Sequence, residues 1–304
     1  MSKKLSKQKL NDIITYGIVI AAFVIMQILI NAGEISSLFQ GLMVPLCTYI
    51  ILAISLNLVV GILGELSLGH AGFMCVGAFT SSFFSKAMQD TITNSTVRFL
   101  LALLIGIITA AIFGIIIGIP VLRLNGDYLA IVTLAFGEII KNLVNVLFIG
   151  KDSKGFHFST KDAVSLNMEP DGKIILNGPQ GITGTPNDST FFIGFILILV
   201  TLFIVLNLIH SRDGRAIMAI RDNRIAAESI GINITKYKLM TFTISAAMAG
   251  AAGVLYAHNL SNLTANTNNF GYNMSINILV FVVLGGIGNI RGSIIAAVVL
   301  TLLP

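Results

Sequence analysis

The stretch FLLALLIGIITAAIFGIIIGI, residues 99–119, carries no charged side chain over the length of one transmembrane helix. The hydrocarbon core of a bilayer is about 30 Å thick and requires about 20 apolar residues per helix. Further apolar runs occupy residues 13–30, 42–62, 66–84, 128–149, 191–209, 239–257, 274–287 and 293–304. Together they predict an all-α, polytopic membrane bundle of about 8–10 transmembrane helices. The span at 66–84 and the last two spans fit this pattern least well.

The composition supports a membrane protein and excludes several other classes. Hydrophobic residues make up 55% of the 304 residues and charged residues 11%, whereas soluble domains carry about 25% charged residues. Open sheets would leave backbone groups unsatisfied in lipid, and barrel strands would alternate apolar with polar residues. The net charge of +5 does not indicate nucleic-acid binding. Cys47 and Cys75 lie inside apolar runs, as expected for small buried side chains rather than for a disulfide or metal site.

The densest glycine cluster is GILGELSLGHAGF, residues 61–73. Glycines let membrane helices approach closely, and they also permit a break whose freed backbone groups line a cavity. The cluster is therefore consistent with two structures: close packing of helices, or a broken or re-entrant helix near residues 61–77. The candidates for a translocation pathway or gate in this region are Asn57, Gly61, Gly64, Glu65, Gly69 and His70.

A second group of polar residues lies within the apolar run at 128–149. Glu138, Lys141 and Asn142 are spaced i, i+3 and i+4, so a helix places them on one face. Charges at membrane depth are costly unless they are paired or hydrated. We predict a Glu138–Lys141 pair that faces the bundle interior. Its role is either to line the pathway, together with Asn142, or to hold the bundle together.

One hydrophilic stretch between the spans reads SRDGRAIMAIRDNRIAAESIG, residues 211–231. Asp213 is a candidate cap for a helix starting near Arg215, and Gly231 is typical of a helix C-terminus. Acidic residues interleave with basic ones, which favours docking to a partner protein over binding to lipid. The candidate coupling residues are Arg215, Arg221, Asp222, Arg224, Glu228 and Gly231, and the predicted apolar stripe is Ile217, Ile220 and Ile225.

Basic residues in short loops predict the orientation. Residues 1–12 form a lysine-rich arm that we place in the cytoplasm, and the first span is predicted to be retained rather than cleaved as a signal peptide. The same side then receives residues 210–238, and residues 150–190 lie outside the membrane on the opposite side. That long segment is either a small extracytoplasmic cap or an unstructured connector. The basic residues assigned to the cytoplasmic side are Lys3, Lys4, Lys7, Lys9, Arg123, Arg212, Arg215, Arg221, Arg224, Lys236, Lys238 and Arg291.

Catalytic motifs do not appear in the sequence. It contains no phosphate-binding Gly-x-x-x-x-Gly-Lys-Ser/Thr loop, no His-Glu-x-x-His pair and no Cys-x-x-Cys pair. We therefore expect a transport subunit rather than an enzyme.

Five motifs, in order along the chain, resemble one family. They are Asn57-Leu58 with GILGELSLGHAGF at 61–73, NGDYLAIVTLAFGEI at 125–139, NGPQGI at 177–182, the GRA, AIR, AA and GI elements within 214–232, and GGIG at 285–288 with Gly292. With these motifs the chain resembles the LivM-type permeases of ATP-driven importers for branched-chain amino acids, also described as binding-protein-dependent transport system inner membrane components. The resemblance covers nearly all of residues 1–304, as a single permease domain.

The resemblance implies the partners and the location of the protein. It implies a second, LivH-like permease that shares the translocation pathway, two cytoplasmic ATPase subunits that bind ATP and magnesium, and an extracytoplasmic binding protein. It also implies a multi-pass protein of the bacterial plasma membrane that carries no cofactor of its own, with a further hydrophobic stretch after residue 304. Two alternatives remain: a related importer for a sugar, a nucleoside or a urea-like amide, and an ion-coupled carrier that uses Glu65 and Glu138.

Overall fold

The structure is a computed structural model that describes residues 7–33, 36–121, 127–170 and 172–303. Parts of the sequence predictions lie outside these residues, namely those on Lys3, Lys4, Arg123, the start of the motif at 125–126, and Pro304. The helices are α1 Lys7–Asn31, α2 Ser37–Asn57, α3 His70–Ala87, α4 Ser95–Val121, α5 Asp127–Val146, α6 Phe191–His210, α7 Arg212–Asp222, α8 Arg224–Ser229, α9 Ile234–Ala257, α10 Thr267–Phe270, α11 Tyr272–Gly285 and α12 Ile290–Leu302. The predicted all-α membrane bundle is confirmed.

Six helical segments in the described part of the chain are long and apolar enough to cross a membrane: Asp12–Asn31, Ser37–Leu63, Ser95–Val121, Tyr128–Val146, Phe191–His210 and Ile234–Ala257. Three of the nine predicted spans are not among these six segments, namely those at 66–84, 274–287 and 293–304. Helices α11 and α12 have only 14 and 13 residues, and α3 is rich in serine and glycine. Residues 7–12 of the predicted N-terminal arm already belong to α1.

The core of the bundle is formed by α2, α3 and α9. Gly77 of α3 lies against the backbone of Gly250 in α9, where a Cβ atom would be 2.6 Å from the Gly250 Cα. Only glycine permits this close approach, which brings two backbones into van der Waals contact. The exposed surfaces of α4 and α6 are in contrast aliphatic and aromatic, as lipid contact requires.

Side-chain contacts assign the helix termini to two ends of the bundle. At one end, which we call the α7–α8 end, Lys238 at the start of α9 pairs with Glu65. His210, the last residue of α6, lies 3.5 Å from the Asp12 carboxylate in the first turns of α1. Arg291 at the start of α12 donates a hydrogen bond of 2.5 Å to Thr15. The beginning of α1 therefore lies at the same end as α7 and α8.

At the opposite end, residues 147–183 form a small folded cap. Strands β1 Phe148–Asp152, β2 Gly155–Ser159 and β3 Lys173–Asn177 form an antiparallel sheet in the order β2-β1-β3. Strand β4 Ile182–Thr183 pairs with β5 Asn262–Leu263. The described part of this segment is therefore a folded cap, and the interpretation as an unstructured connector was wrong. Helix α5 ends at Val146, three residues before the predicted end of the fifth span, because Phe148 and Ile149 belong to β1.

The β1–β2 hairpin is closed by Asp152, whose carboxylate accepts hydrogen bonds from the Lys154 and Gly155 backbone N–H groups at 2.8 and 3.1 Å. Burial raises the pKa of this carboxyl. The N–H groups of Lys154 and Glu169 and the His157 side chain together lower it by more than burial raises it, so the pKa lies below its usual range.

Lysines hold the cap against the bundle. The Lys86 ammonium group in the last turn of α3 donates hydrogen bonds to the Ile174 and Thr183 carbonyls at 3.0 and 2.8 Å. Lys151 of β1 donates to the Ala87 carbonyl at 2.9 Å. Both cations lie at the C-terminus of α3, where the helix dipole favours positive charge. Lys86 and Lys151 therefore attach the cap to α3, and this structural role does not depend on the charge rule used to orient the chain.

Candidate functional site

The polar segment 211–231 folds into two helices rather than the single predicted one. Ser211 caps α7 by accepting a hydrogen bond of 3.0 Å from the Gly214 N–H, so the helix starts at Arg212. The predicted start near Arg215 with an Asp213 cap was wrong, because Asp213 already lies in the first turn. Asn223 is extended and its side chain accepts from the Ala226 N–H at 3.0 Å, which ends α7 and begins α8.

Gly231 ends α8 as predicted. Its φ of 87° is left-handed, its N–H donates to Glu228, and the N–H of Ile232 donates to Ala227. These two bonds are those of a Schellman motif, in which a glycine without a Cβ penalty satisfies the last carbonyls of a helix.

The two helices divide the predicted apolar stripe. Ile217 and Ile220 of α7 are buried against the bundle, whereas Ile225 of α8 is 81% exposed. Ile230, just after α8, is also exposed. The prediction of one continuous stripe was wrong because the extended Asn223 reorients α8. As a result α7 rests on the bundle, and Ile225 in α8 and Ile230 just after it are exposed.

Arg221 joins the polar segment to the glycine cluster. Its guanidinium donates a hydrogen bond of 3.0 Å to the Gly61 carbonyl, and two further N–H groups reach the Asp222 carboxylate at 3.1 and 3.0 Å. The Arg221 side chain also packs on Gly64, where a Cβ atom would lie 2.6 Å from the Arg221 Cγ. The side chain therefore lies against residues 61–64 while it remains 38% exposed.

The remaining predicted coupling residues lie on the outer surface. Arg215 is exposed and donates a long hydrogen bond of 3.4 Å to the His210 carbonyl. Asp222, Arg224 and Glu228 are exposed on α7 and α8. Their roles in coupling stay predictions.

The glycine cluster forms the predicted break. After Asn57, residues Leu58–Leu63 are a π-helix, and Gly64 ends it with a φ of 80°. Residues 64–69 are not helical, and α3 begins at His70. A π-helix inside or at the end of a membrane span commonly marks a functional site.

Asn57 ties this break to the last two helices. Its amide donates a hydrogen bond of 2.7 Å to Ser293 of α12 and accepts one of 2.9 Å from the Gly288 N–H. Asn57 is fully buried. Asn57 therefore joins helices through hydrogen bonds, and its role on the translocation pathway stays a prediction.

Glu65 is paired with Lys238, whose side chain is 3% exposed. Lys238 was predicted to lie among the charges of a cytoplasmic loop, and its pairing with Glu65 was not predicted. The two residues are 173 positions apart, so no local spacing could have indicated the contact. The pair fixes the non-helical residues after the π-helix to the first turns of α9.

Gly69 and His70 lie deeper, at the start of α3. Gly69 packs on the backbone of Thr133 in α5. The His70 Nε2 forms a hydrogen bond of 2.8 Å with Ser245 of α9, while Nδ1 is buried without a partner among the described residues. The structure thus supports close packing at both positions, and a gating role stays a prediction.

Glu138 and Lys141 form the predicted ion pair, with 2.5 Å between the Lys141 Nζ and a Glu138 oxygen. Lys141 also donates to Thr267 of α10 at 3.2 Å, and the Tyr272 N–H at the start of α11 donates to Glu138 at 2.8 Å. Asn142 is exposed and does not share their environment. The pair therefore anchors α10 and α11 to α5.

Replacing Gly61 with alanine should destabilise the subunit by about 1–3 kcal/mol, the usual cost of overpacking. The new methyl group would meet the Asn57 side chain and would lie 2.6 Å from the Gly288 Cα. The measurement is thermal unfolding of the purified subunit. Gly17→Ala is the matched control, because nothing lies within 4 Å of that Cβ position. Equal stability of the two variants would contradict the tight packing inferred here.

The sequence matches known permeases over most of its length. The family described as branched-chain amino acid transport system / permease component matches residues 37–304. The chain is 36% identical over 261 residues to the high-affinity branched-chain amino acid transport system permease protein LivM of Salmonella typhimurium, covering 83% of this chain and 59% of that protein. The chain therefore spans about three fifths of the length of the LivM relatives of Salmonella typhimurium and Escherichia coli.

Two more distant relatives show the breadth of the family. The chain is 27% identical over 257 residues to the permease protein LivH of Salmonella typhimurium, covering 83% of this chain and 79% of LivH. It is also 27% identical over 279 residues to the fructose import permease protein FruG of Bifidobacterium longum, covering 90% and 75%. No solved structure matches the chain. The family match over residues 37–304, together with the identity to LivM, shows that this chain belongs to the branched-chain amino acid transport permease family.

Proposed function

We propose that this chain is a permease subunit of an ATP-driven importer for branched-chain amino acids. A second, LivH-like permease completes the translocation pathway, and an extracytoplasmic binding protein delivers leucine, isoleucine or valine. ATP and magnesium bind to two separate cytoplasmic ATPase subunits. The observation that carries this proposal is the hydrogen bond from Arg221 in the polar segment to Gly61 at the helix break, in a chain of this family.

The proposed mechanism uses the two helices of the polar segment as a mechanical link. The ATPases dock on α8, where Ile225 and Ile230 are exposed. Their closure moves α7, and Arg221 transmits that displacement to the π-helix. A π-helix followed by non-helical residues can rearrange at low cost in free energy, so this segment is suited to switch between two conformations. The ATPases shift the population of inward-open and outward-open states to the extent that they bind one more tightly.

The proposed orientation places the α7–α8 end in the cytoplasm. Arg212, Arg215, Arg224, Lys236 and Arg291 lie at this end, and the N-terminal end of α1 lies there too. The charge rule then places the N-terminus inside a bacterial plasma membrane. The cap at 147–183 faces the binding protein.

The ion-coupled carrier is the weaker alternative. A carboxylate that carries protons or sodium must be able to release its partner during the cycle. Both candidates, Glu65 and Glu138, are paired with lysines that are at least nine-tenths buried. The identity to a fructose permease makes a sugar importer the stronger alternative.

The test is reconstitution of the chain with the second permease, the ATPases and the binding protein in lipid vesicles. We expect leucine uptake that requires ATP and the binding protein, and that excess isoleucine or valine suppresses. Uptake of fructose in place of leucine would select the sugar alternative. Uptake by the chain alone, driven by an ion gradient, would overturn the proposal.

A further inference from the structure

Three asparagines form an open polar patch on α10 and α11. Asn268, Asn273 and Asn277 line a shallow depression together with Ile276. The Asn273 amide donates a hydrogen bond of 3.0 Å to Asn268. Asn268 and Asn277 are exposed and Asn273 is half-buried. The three side chains lie on the outer face of α10 and α11, and we call these residues the asparagine patch.

The contacts with α5 place the patch at membrane depth. Asn145 donates to the Ala265 carbonyl at 2.9 Å, and seven residues earlier Glu138 accepts from the Tyr272 N–H at 2.8 Å. Between these contacts the chain descends about 10 Å along α5, at 1.5 Å per residue. Helix α11 then runs on toward the α7–α8 end, where Gly288 contacts Asn57. Asn277, five residues into α11, therefore lies about 20 Å below the sheet end of α5, which is within the depth of a hydrocarbon core about 30 Å thick.

An amide at this depth cannot face lipid without penalty. Moving an amide from water to hydrocarbon costs about 4–8 kcal/mol when nothing satisfies its hydrogen bonds. The surfaces that suit lipid look different: α4 exposes Leu104, Ile108 and Ile112, and α6 exposes Val200 and Phe203. The asparagine patch therefore faces water or a polar partner in the working assembly.

The N-terminus of α11 is already occupied by a carboxylate. Broken membrane helices in transporters often aim such a terminus at an anionic group of the substrate. Here Glu138 accepts the Tyr272 N–H, and its own charge is matched by Lys141. A substrate carboxylate thus has no place at this terminus, and the neutral amides beyond it are the groups left to meet a solute.

We infer that the asparagine patch is this chain's wall of a water-filled translocation path for a small zwitterion. The inference rests on the proposed function, in which a second permease closes the other side. Each amide offers both an N–H donor and a carbonyl acceptor. The donors match a carboxylate and the acceptors match an ammonium group. Because the amides carry no net charge, they hold a zwitterion weakly enough for it to leave, as conduction requires.

The test is chemical labelling of single cysteines in the assembled importer with a membrane-impermeant, water-soluble thiol reagent. Asn277→Cys and Asn268→Cys are compared with Val200→Cys, which lies in the middle of α6 and is 47% exposed on its apolar surface. The unaltered chain gives the baseline, because its native Cys47 and Cys75 are buried. Thiolates form only in water-accessible sites, so we expect Asn277→Cys to react at least about tenfold faster than Val200→Cys.

The outcomes separate this inference from the proposed function. Fast labelling of both patch positions, slowed by leucine, supports the inference. Labelling at the Val200→Cys rate, in a complex that still imports leucine, overturns the inference alone. Fast labelling in a complex that does not import leucine supports an aqueous wall and overturns the proposed substrate. If Asn277→Cys fails to assemble, Asn268→Cys, on the short α10, decides the matter.

Discussion

Replacing Arg221 with glutamate should lower ATP-driven uptake by about ten- to a hundredfold while the ATPases continue to hydrolyse ATP. The variant loses the hydrogen bond to the Gly61 carbonyl and places a carboxylate against a backbone oxygen. A hydrogen bond from a charged donor is worth about 1.5–3 kcal/mol, and such a loss changes a two-state population by about the same factor as the expected loss of uptake. Uptake and hydrolysis are measured in the same vesicles.

The matched control for this variant is Lys236→Glu. Lys236 lies on the same surface and undergoes the same reversal of charge, but its ammonium group packs over the Tyr237 ring rather than reaching the helix break. We expect uptake by the control within about twofold of the unaltered importer, since exposed charges contribute little. Near-normal uptake by Arg221→Glu would refute transmission through this residue.

Replacing Glu138 with glutamine should destabilise the subunit by about 3–5 kcal/mol, because the buried Lys141 ammonium group loses its counter-charge. The side chain of Lys141 is 10% exposed, so water cannot replace the carboxylate. The same change weakens the hydrogen bond to the Tyr272 N–H that positions α11. Thermal unfolding of the purified subunit measures the effect.

Lys141→Met is the informative comparison for Glu138→Gln. It leaves the Glu138 carboxylate at the N-terminus of α11, where an N–H donor and the helix dipole still stabilise negative charge. We therefore expect a smaller loss of stability than for Glu138→Gln. The double variant should recover part of that loss, because no buried charge is left unpaired. Equal losses in both single variants would contradict the anchoring role assigned to the carboxylate.

The features that the sequence predicts well are local ones. The apolar run at 99–119 lies within α4, because no other structure satisfies its backbone in lipid. The i, i+3 spacing of Glu138 and Lys141 places both on one face, and their pairing follows. Gly231 ends α8 because a left-handed residue is required there. Each of these depends on only a few neighbouring residues.

The features that the sequence does not reveal depend on tertiary contacts. Ser211 and Asp213 are both good helix caps, and only the packing of Gly214 under the end of α6 selects Ser211. The Glu65–Lys238 pair joins distant segments. The asparagine patch was missed because Asn277 lies inside the apolar run at 274–287, which the sequence alone treats as a plain span, and Asn273 directly precedes that run. Their depth follows only from the hydrogen bonds between α5 and the chain before α11.

We propose that motion generated by the ATPases enters the bundle through the polar segment after residue 210. The most direct measurement is labelling of Ile225→Cys, a position that is 81% exposed on α8, with an impermeant thiol reagent in intact and in permeabilised cells. We expect labelling only after permeabilisation, and protection when the ATPase subunits are bound. Labelling of Ile225→Cys in intact cells would place the segment outside and would refute this route of transmission.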